Sequence, residues 1–304
     1  WSDYGKVTAK SLQGIRIPPR SVQQMSLAMI DPGRKGYAVH VTATSGQVAA
    51  VILDEIHERS LEADLALALC LDAQAMLRPD LRLLAMSATL DGAHLSANMN
   101  APIVESTGRT HPVEIRHAAR DISNARELPE AMSRAIRAAL AEAEGDILAF
   151  LPGMGEIRRT AAALEDIDPV VLPLHGDLPP VSQDLALRPA EGRRVVLATA
   201  IAETSLTVPG IRYVIDTGLA RVKRYRFRGK LEQLQIEAVS QASANQRAGR
   251  CGRVMHGICV RLYSQEDFAA RPRFTDPEIL RVSLAAVVLR MKALRLGAIN
   301  EFPF

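Results

Sequence analysis

Short apolar runs recur along this chain, and helical spacing fills several of the gaps between them. Residues 48–53 are almost wholly apolar, which suits a strand buried on both faces of a parallel sheet. Residues 81–86 form a second such run. Between the two, Leu61, Leu65, Leu69 and Met76 recur at roughly helical spacing, so strand–helix–strand, a βαβ unit, is predicted. The pattern then repeats. Residues 147–151 are apolar and stopped by Pro152-Gly153, a polar helix is expected over about 156–164, and residues 170–174, 195–198 and 213–216 read as further strands. Residues 127–144 predict an amphipathic helix packed on this second sheet. In the tail, over 276–296, Ile279, Leu280, Leu284, Val287, Val288, Met291 and Leu294 fall at helical spacing. The fold class is therefore α/β, with two successive sheet units and a cleft expected between them.

The ends of these strands carry the candidate chemistry. Asp54 and Glu55 follow the first run directly, at the strand edge where open α/β sheets place ligands. A hard carboxylate such as Asp54 suits Mg²⁺ bound to a nucleotide, and Glu55 beside it can take a proton from an attacking water. Ser87-Ala88-Thr89 closes the second run with two hydroxyls. Far downstream stands Gln246-Arg247-Ala248-Gly249-Arg250-Cys251-Gly252-Arg253. Arg250 and Arg253, three positions apart and each preceded by glycine, suit a phosphate clamp, because arginine brings a permanent charge and a rigid fork of donors. Glycine admits close backbone approach.

Composition changes this picture in one respect. The net charge of +3 is unevenly spread: residues 188–304 carry 20 Lys and Arg against 10 Asp and Glu, the remainder 17 against 24. The basic half suits a polyanion. Its densest stretch is Arg221, Lys223, Arg224, Arg226, Arg228 and Lys230, with Tyr225 and Phe227 interleaved. In a strand, Arg224, Arg226 and Arg228 would share one face, either as a nucleic-acid backbone strip or as an edge strand protected by charge. Three cysteines, Cys70, Cys251 and Cys259, show no disulfide framework or metal-ligand spacing, and Cys251 is expected to be inert. No stretch is long and apolar enough for a membrane span, and a reducing cytoplasm fits.

In combination, Asp54-Glu55-Ile56-His57-Glu58-Arg59-Ser60, Ser87-Ala88-Thr89, Ala202-Glu203-Thr204-Ser205-Leu206-Thr207 and the 246–253 octet resemble the DEAH-box ATP-dependent RNA helicases of the bacterial HrpA/HrpB type, in helicase superfamily two. Residues 240–245 and 274–280 look similar too. The resemblance covers about residues 48–304. It implies tandem RecA-like domains: a partial first one over 48–112, a second over 113–274, and the beginning of a winged-helix region over 275–304, with 1–47 unassigned. It implies ATP or another NTP with Mg²⁺ as cofactor, RNA as partner, and NTP hydrolysis coupled to RNA translocation. By the same resemblance, Asp54 would hold Mg²⁺, Glu55 would orient and deprotonate the lytic water, and His57 would link the nucleotide site to the other domain. Ser87 and Thr89 would couple hydrolysis to movement, and Ser205 would sense the γ-phosphate. Gln246, Arg250 and Arg253 would face that phosphate, Thr199 would touch the RNA backbone, and Leu187 would stand near the base.

One part of the pattern is missing. A Gly-x-x-x-x-Gly-Lys-Ser/Thr run, whose amides cradle phosphates, occurs nowhere in the 304 residues. The sequence, which opens on Trp1, thus reads as an N-terminally incomplete helicase core with impaired turnover. The alternatives are a non-catalytic nucleic-acid-binding fragment and a DNA-directed translocase of the same superfamily.

Overall fold

The computed structural model describes residues 23–26, 39–44, 47–87, 92–105, 111–122, 124, 126–142, 144–203, 206–226, 228–253 and 255–293. The chain divides into two compact units, one within 1–54 and 66–86, the other within 55–65 and 87–304. The expected boundary at residue 112 differs from this division, which assigns residues 87–112 to the second unit.

The first unit holds a four-stranded sheet of β1 (Gln23–Ser26), β2 (Val39–Thr44), β3 (Gln47–Leu53) and β4 (Arg82–Ala85), in that order. The predicted βαβ unit is present: β3 and β4 pair in parallel, and α1 (Leu61–Met76) connects them. Beside this parallel pair, β2 pairs antiparallel with both β1 and β3. Only two residues separate β2 from β3, too few for a crossover. Of the periodic apolar positions in α1, Leu61 and Leu65 are buried, whereas Met76 at the helix end is 77% exposed.

The second unit is built on six parallel strands in the order β5 (Val113–His117), β12 (Gly257–Arg261), β9 (Ile211–Asp216), β6 (Asp146–Phe150), β8 (Arg194–Ala198) and β7 (Val170–Leu174). Its central strands are buried on both faces, and alternate side chains feed two separate cores. Ile147, Ala149, Val195, Leu197, Tyr213 and Ile215 pack with Met132, Ile136 and Ala139 of α3 (Leu128–Glu142) and Ile157 of α4 (Met154–Ala162). Leu148, Phe150, Val196, Ala198, Val214 and Cys259 pack with Ala186 of α5 (Pro180–Leu187) and with Ala248 of α6 (Gln241–Gly249), joined by Cys251. The expected amphipathic helix over 127–144 is α3, and its apolar stripe is what the first core buries.

β10 (Leu219–Arg226) and β11 (Leu231–Ala238) form a separate antiparallel hairpin. The predicted basic strand is therefore real but shorter than expected: Arg228 lies in the 228–230 turn, so it does not share a strand face with Arg224 and Arg226. Within the tail, whose apolar residues fall at helical spacing, a 3₁₀ turn forms at Glu278–Leu280 and a helix, α8, at Ala285–Ala293.

Candidate functional site

The acidic tetrad sits on a tight turn. Asp54, half-buried, follows β3 directly. Glu55 takes a left-handed backbone (φ 53°), residues Ile56–Glu58 make one 3₁₀ turn, and Arg59 is left-handed again (φ 49°). Non-glycine residues in this region carry strain of about 1–3 kcal/mol, which surrounding contacts must offset. Ile56 is buried beneath the turn. Arg59 pairs with Asp64 at 3.0 Å, and the Ser60 hydroxyl accepts from the Ala63 amide at 3.1 Å, capping α1.

Within the second unit this turn meets the arginine octet. Gln246 Nε2 lies 2.6 Å from His57 Nε2, and Glu55 Oε2 lies 3.4 Å from the same ring nitrogen. With the ring proton on Nδ1 the amide can donate to Nε2, and the carboxylate approaches the same atom, so the two partners compete for it. Glu55, His57 and Gln246, singled out separately in the sequence, are thus brought together.

The arginines of the octet divide into different jobs. Arg247, given no role by sequence reasoning, is 1% exposed; its Nε donates to Glu203 Oε2 at 2.9 Å and its Nη1 to Asp216 Oδ1 at 2.8 Å. Burial alone would push this guanidinium below its ordinary value; Asp216 and Glu203 outweigh burial and hold it above. Asp216, wholly buried at the end of β9, also accepts from the Gly218 amide at 2.8 Å and the Tyr263 hydroxyl at 3.2 Å. Arg250 is nearly buried and donates to the carbonyls of Glu203 and Leu206. Arg253 is exposed and donates to Thr207 Oγ1 at 2.9 Å. Three arginines of the octet therefore contact Glu203, Leu206 or Thr207, and Arg250 and Arg253 do so with donors suited to phosphate.

The glycines behave unequally. A side chain on Gly252 would meet Val113 Cγ2 at 2.6 Å and the His111 carbonyl at 2.8 Å, whereas Gly249 has open space around it. Close packing at Gly252 serves the start of β5. Cys251, expected to be inert, is buried. Burial pushes its thiol up to about 12, and its Sγ donates to the Ala248 carbonyl at 3.0 Å. We expect iodoacetamide at pH 8 to label the half-buried Cys70 first in the folded chain, with Cys251 and Cys259 modified only after denaturation; mass spectrometry of peptides distinguishes the three.

The helicase conserved C-terminal domain matches residues 127–255, and a family of unknown function (DUF5719) matches residues 1–66. The ATP-dependent RNA helicase HrpA of Escherichia coli is 50% identical over 267 residues, covering 85% of this chain and 20% of that protein. The ATP-dependent RNA helicase HrpB of Escherichia coli is 45% identical over 250 residues, covering 80% of this chain and 31% of that protein. The crystal structure of the Escherichia coli DEAH/RHA helicase HrpB superposes with a TM-score of 0.76 at 44% identity, covering 84% of this chain and 33% of that one. The chain is a homologue of the HrpA and HrpB helicases. It spans about a fifth to a third of their length, and its six-stranded parallel sheet is the RecA-like sheet of that fold.

Thr199 is half-buried between β8 and a 3₁₀ turn at Ala200–Ala202, and its amide donates to the Leu174 carbonyl at 3.3 Å. Leu187 ends α5 and packs on the second core. Ser87 follows β4. Thr89 and Ser205 lie outside the described residues. Arg224 pairs with Glu237 at 2.8 Å and with Asp276 at 3.6 Å, so its charge is largely neutralised within the protein, while Arg226 ends its strand exposed.

Proposed function

We propose that this chain acts as part of an NTP-driven RNA translocase, contributing the acidic turn and the second RecA-like lobe. The observation that carries this is the 2.6 Å contact between His57 and Gln246, which ties the tetrad turn to the arginine octet. Glu55 takes the proton from the attacking water, and His57 reports the state of the turn to the helix that carries Gln246. Arg250 and Arg253 exchange their contacts on the 203–207 segment for phosphate oxygens. Mg²⁺ arriving with the nucleotide would supply charge neutralisation at the phosphates. Asp54 would hold it, and a single carboxylate fits an ion bound mainly by phosphates and water. Among the described residues no group of three or more His, Cys, Asp or Glu could hold a metal, which suits an ion carried by its nucleotide. Thr199 and Arg226 face the RNA backbone, and Arg224 and Arg228 contribute beside them. Ser87, Thr89, Ser205 and Leu187 take the coupling, phosphate-sensing and base-proximal roles that the motif resemblance implies. Three unpaired cysteines suit a cytoplasmic setting. Among the described residues no helix is long and apolar enough to cross a membrane.

The test is fluorescence anisotropy with single-stranded RNA and the matching DNA across a salt series, alongside phosphate release from Mg·ATP. RNA is expected to bind more tightly than DNA, with log K falling by about 0.7 per phosphate contact for each log unit of salt, and to stimulate a slow phosphate release. Equal affinity for RNA and DNA points to a DNA-directed translocase. RNA binding without any hydrolysis points to a binding fragment. No RNA binding at all ends the proposal.

A further inference from the structure

Residues 274–280 matched the family text yet received no role from the site as described. Within the second unit they reach back across more than 200 positions to the tetrad turn. The Glu278 amide donates to the Arg59 carbonyl at 2.9 Å, and Glu278 Oε2 accepts from the Leu61 amide at 3.0 Å. Arg59 is the left-handed residue that closes the turn, and Leu61 is the first residue of α1, where an unpaired amide and the positive end of the helix favour a carboxylate. Two bonds from one residue therefore hold the far side of a strained turn, while His57 and Gln246 hold its near side.

The same segment is tied to the basic hairpin. The Tyr225 amide donates to the Arg281 carbonyl at 2.8 Å, the Ser283 amide to Glu232 Oε1 at 3.4 Å, and Arg224 pairs with Asp276. Tyr225 and Glu232 face each other across the hairpin, so the strap grips both strands at one rung. The Thr275 hydroxyl also meets that of Ser240, the capping residue of α6, at 3.1 Å.

We propose that Glu278 is a positioning residue for the tetrad turn, and that the strap 275–283 passes RNA contact at the hairpin to that turn through Glu278. The inference rests on the proposed catalytic role of Glu55 and His57, because a carboxylate that fixes Arg59 and Leu61 fixes the backbone on which those two side chains stand. Its chemistry is positional: Glu278 touches no reacting atom.

The test combines amide hydrogen exchange with kinetics on Glu278→Ala, Glu278→Gln and a control, Glu266→Ala, an exposed acid on a separate helix (Gln265–Ala270). In Glu278→Ala the Leu61 amide is expected to exchange at least about 10-fold faster, while amides of the six-stranded sheet keep their rates. Glu278→Gln retains an acceptor oxygen and should restore protection; Glu266→Ala should change neither. Single-stranded oligouridylate should slow exchange at Leu61 in the parent chain and leave Glu278→Ala unaffected. Where phosphate release is measurable, kcat should fall about 10-fold in Glu278→Ala with the KM for RNA within about twofold. Unchanged exchange at Leu61, or equal acceleration throughout the sheet, overturns the positioning role. An RNA effect that survives in Glu278→Ala overturns the link through the strap. If exchange behaves as expected but the parent chain releases no phosphate, the catalytic reading of the turn fails and the positioning role stands.

Discussion

Arg247→Met is expected to destabilise the second unit by about 3–5 kcal/mol, because it leaves Asp216 and Glu203 as buried or nearly buried carboxylates without their cation. Urea unfolding followed by circular dichroism reads the loss as a lowered midpoint. The guanidinium bridges two acids, donates to the Leu219 carbonyl at 3.2 Å and lies 4.9 Å from the Phe150 ring centre. Arg247→Lys is therefore no rescue: an ammonium is a single compact charge and cannot fork between both carboxylates. Adding Glu203→Gln and Asp216→Asn to Arg247→Met should recover part of the loss, since neutral groups no longer need the cation. A midpoint within about 0.5 kcal/mol of the parent for Arg247→Met alone would show that the pair is solvated and that the buried network holds nothing together.

This residue also shows where the sequence was legible and where it was not. The buried strands β6, β8 and β9 were found because both their faces meet apolar cores, which leaves continuous apolar runs. β5 and β12 were missed. β5 is an edge strand in which Arg116 pairs with both Glu114 and Glu142, so its apolar pattern is broken by charge. β12 ends in Arg261, a buried arginine whose guanidinium lies 4.0 Å from the Phe268 ring centre. Buried cations mislead the charge count in the same way. Arg194, Arg247, Arg250, Arg261 and Arg271 are all buried, so part of the positive excess in residues 188–304 belongs to internal networks and is closed to RNA. A signal for Arg247 did exist. Ala244, Arg247, Ala248 and Cys251 fall at positions i, i+3, i+4 and i+7, and all four are buried. An arginine on a stripe of small residues points inward and needs an acid there, whereas Arg253, off that stripe, is exposed. The tetrad itself was legible from adjacent carboxylates at a strand end. Its left-handed closure at Arg59 was hidden, because the contacts that offset the strain come from residue 278.

The last expected result concerns the tetrad directly. Glu55→Gln should lower RNA-stimulated phosphate release from Mg·ATP by at least about 10²-fold, the usual scale for removing a general base, with RNA affinity unchanged within about twofold. The substitution keeps the shape of the side chain and its reach toward His57, and it suits the same left-handed backbone as well as glutamate does, so the unfolding midpoint should hold. What it removes is the negative charge that takes a proton from water. The charge also competes with Gln246 for His57 Nε2, at 3.4 Å against 2.6 Å. In Glu55→Gln the imidazole and the Gln246 amide both remain, so the His57–Gln246 contact should persist, as followed by NMR of the ring nitrogens. Loss of turnover with that contact intact would separate the role of Glu55 as base from its place beside the imidazole. Phosphate release that survives in Glu55→Gln would remove this carboxylate from the chemistry and leave the turn a purely structural corner.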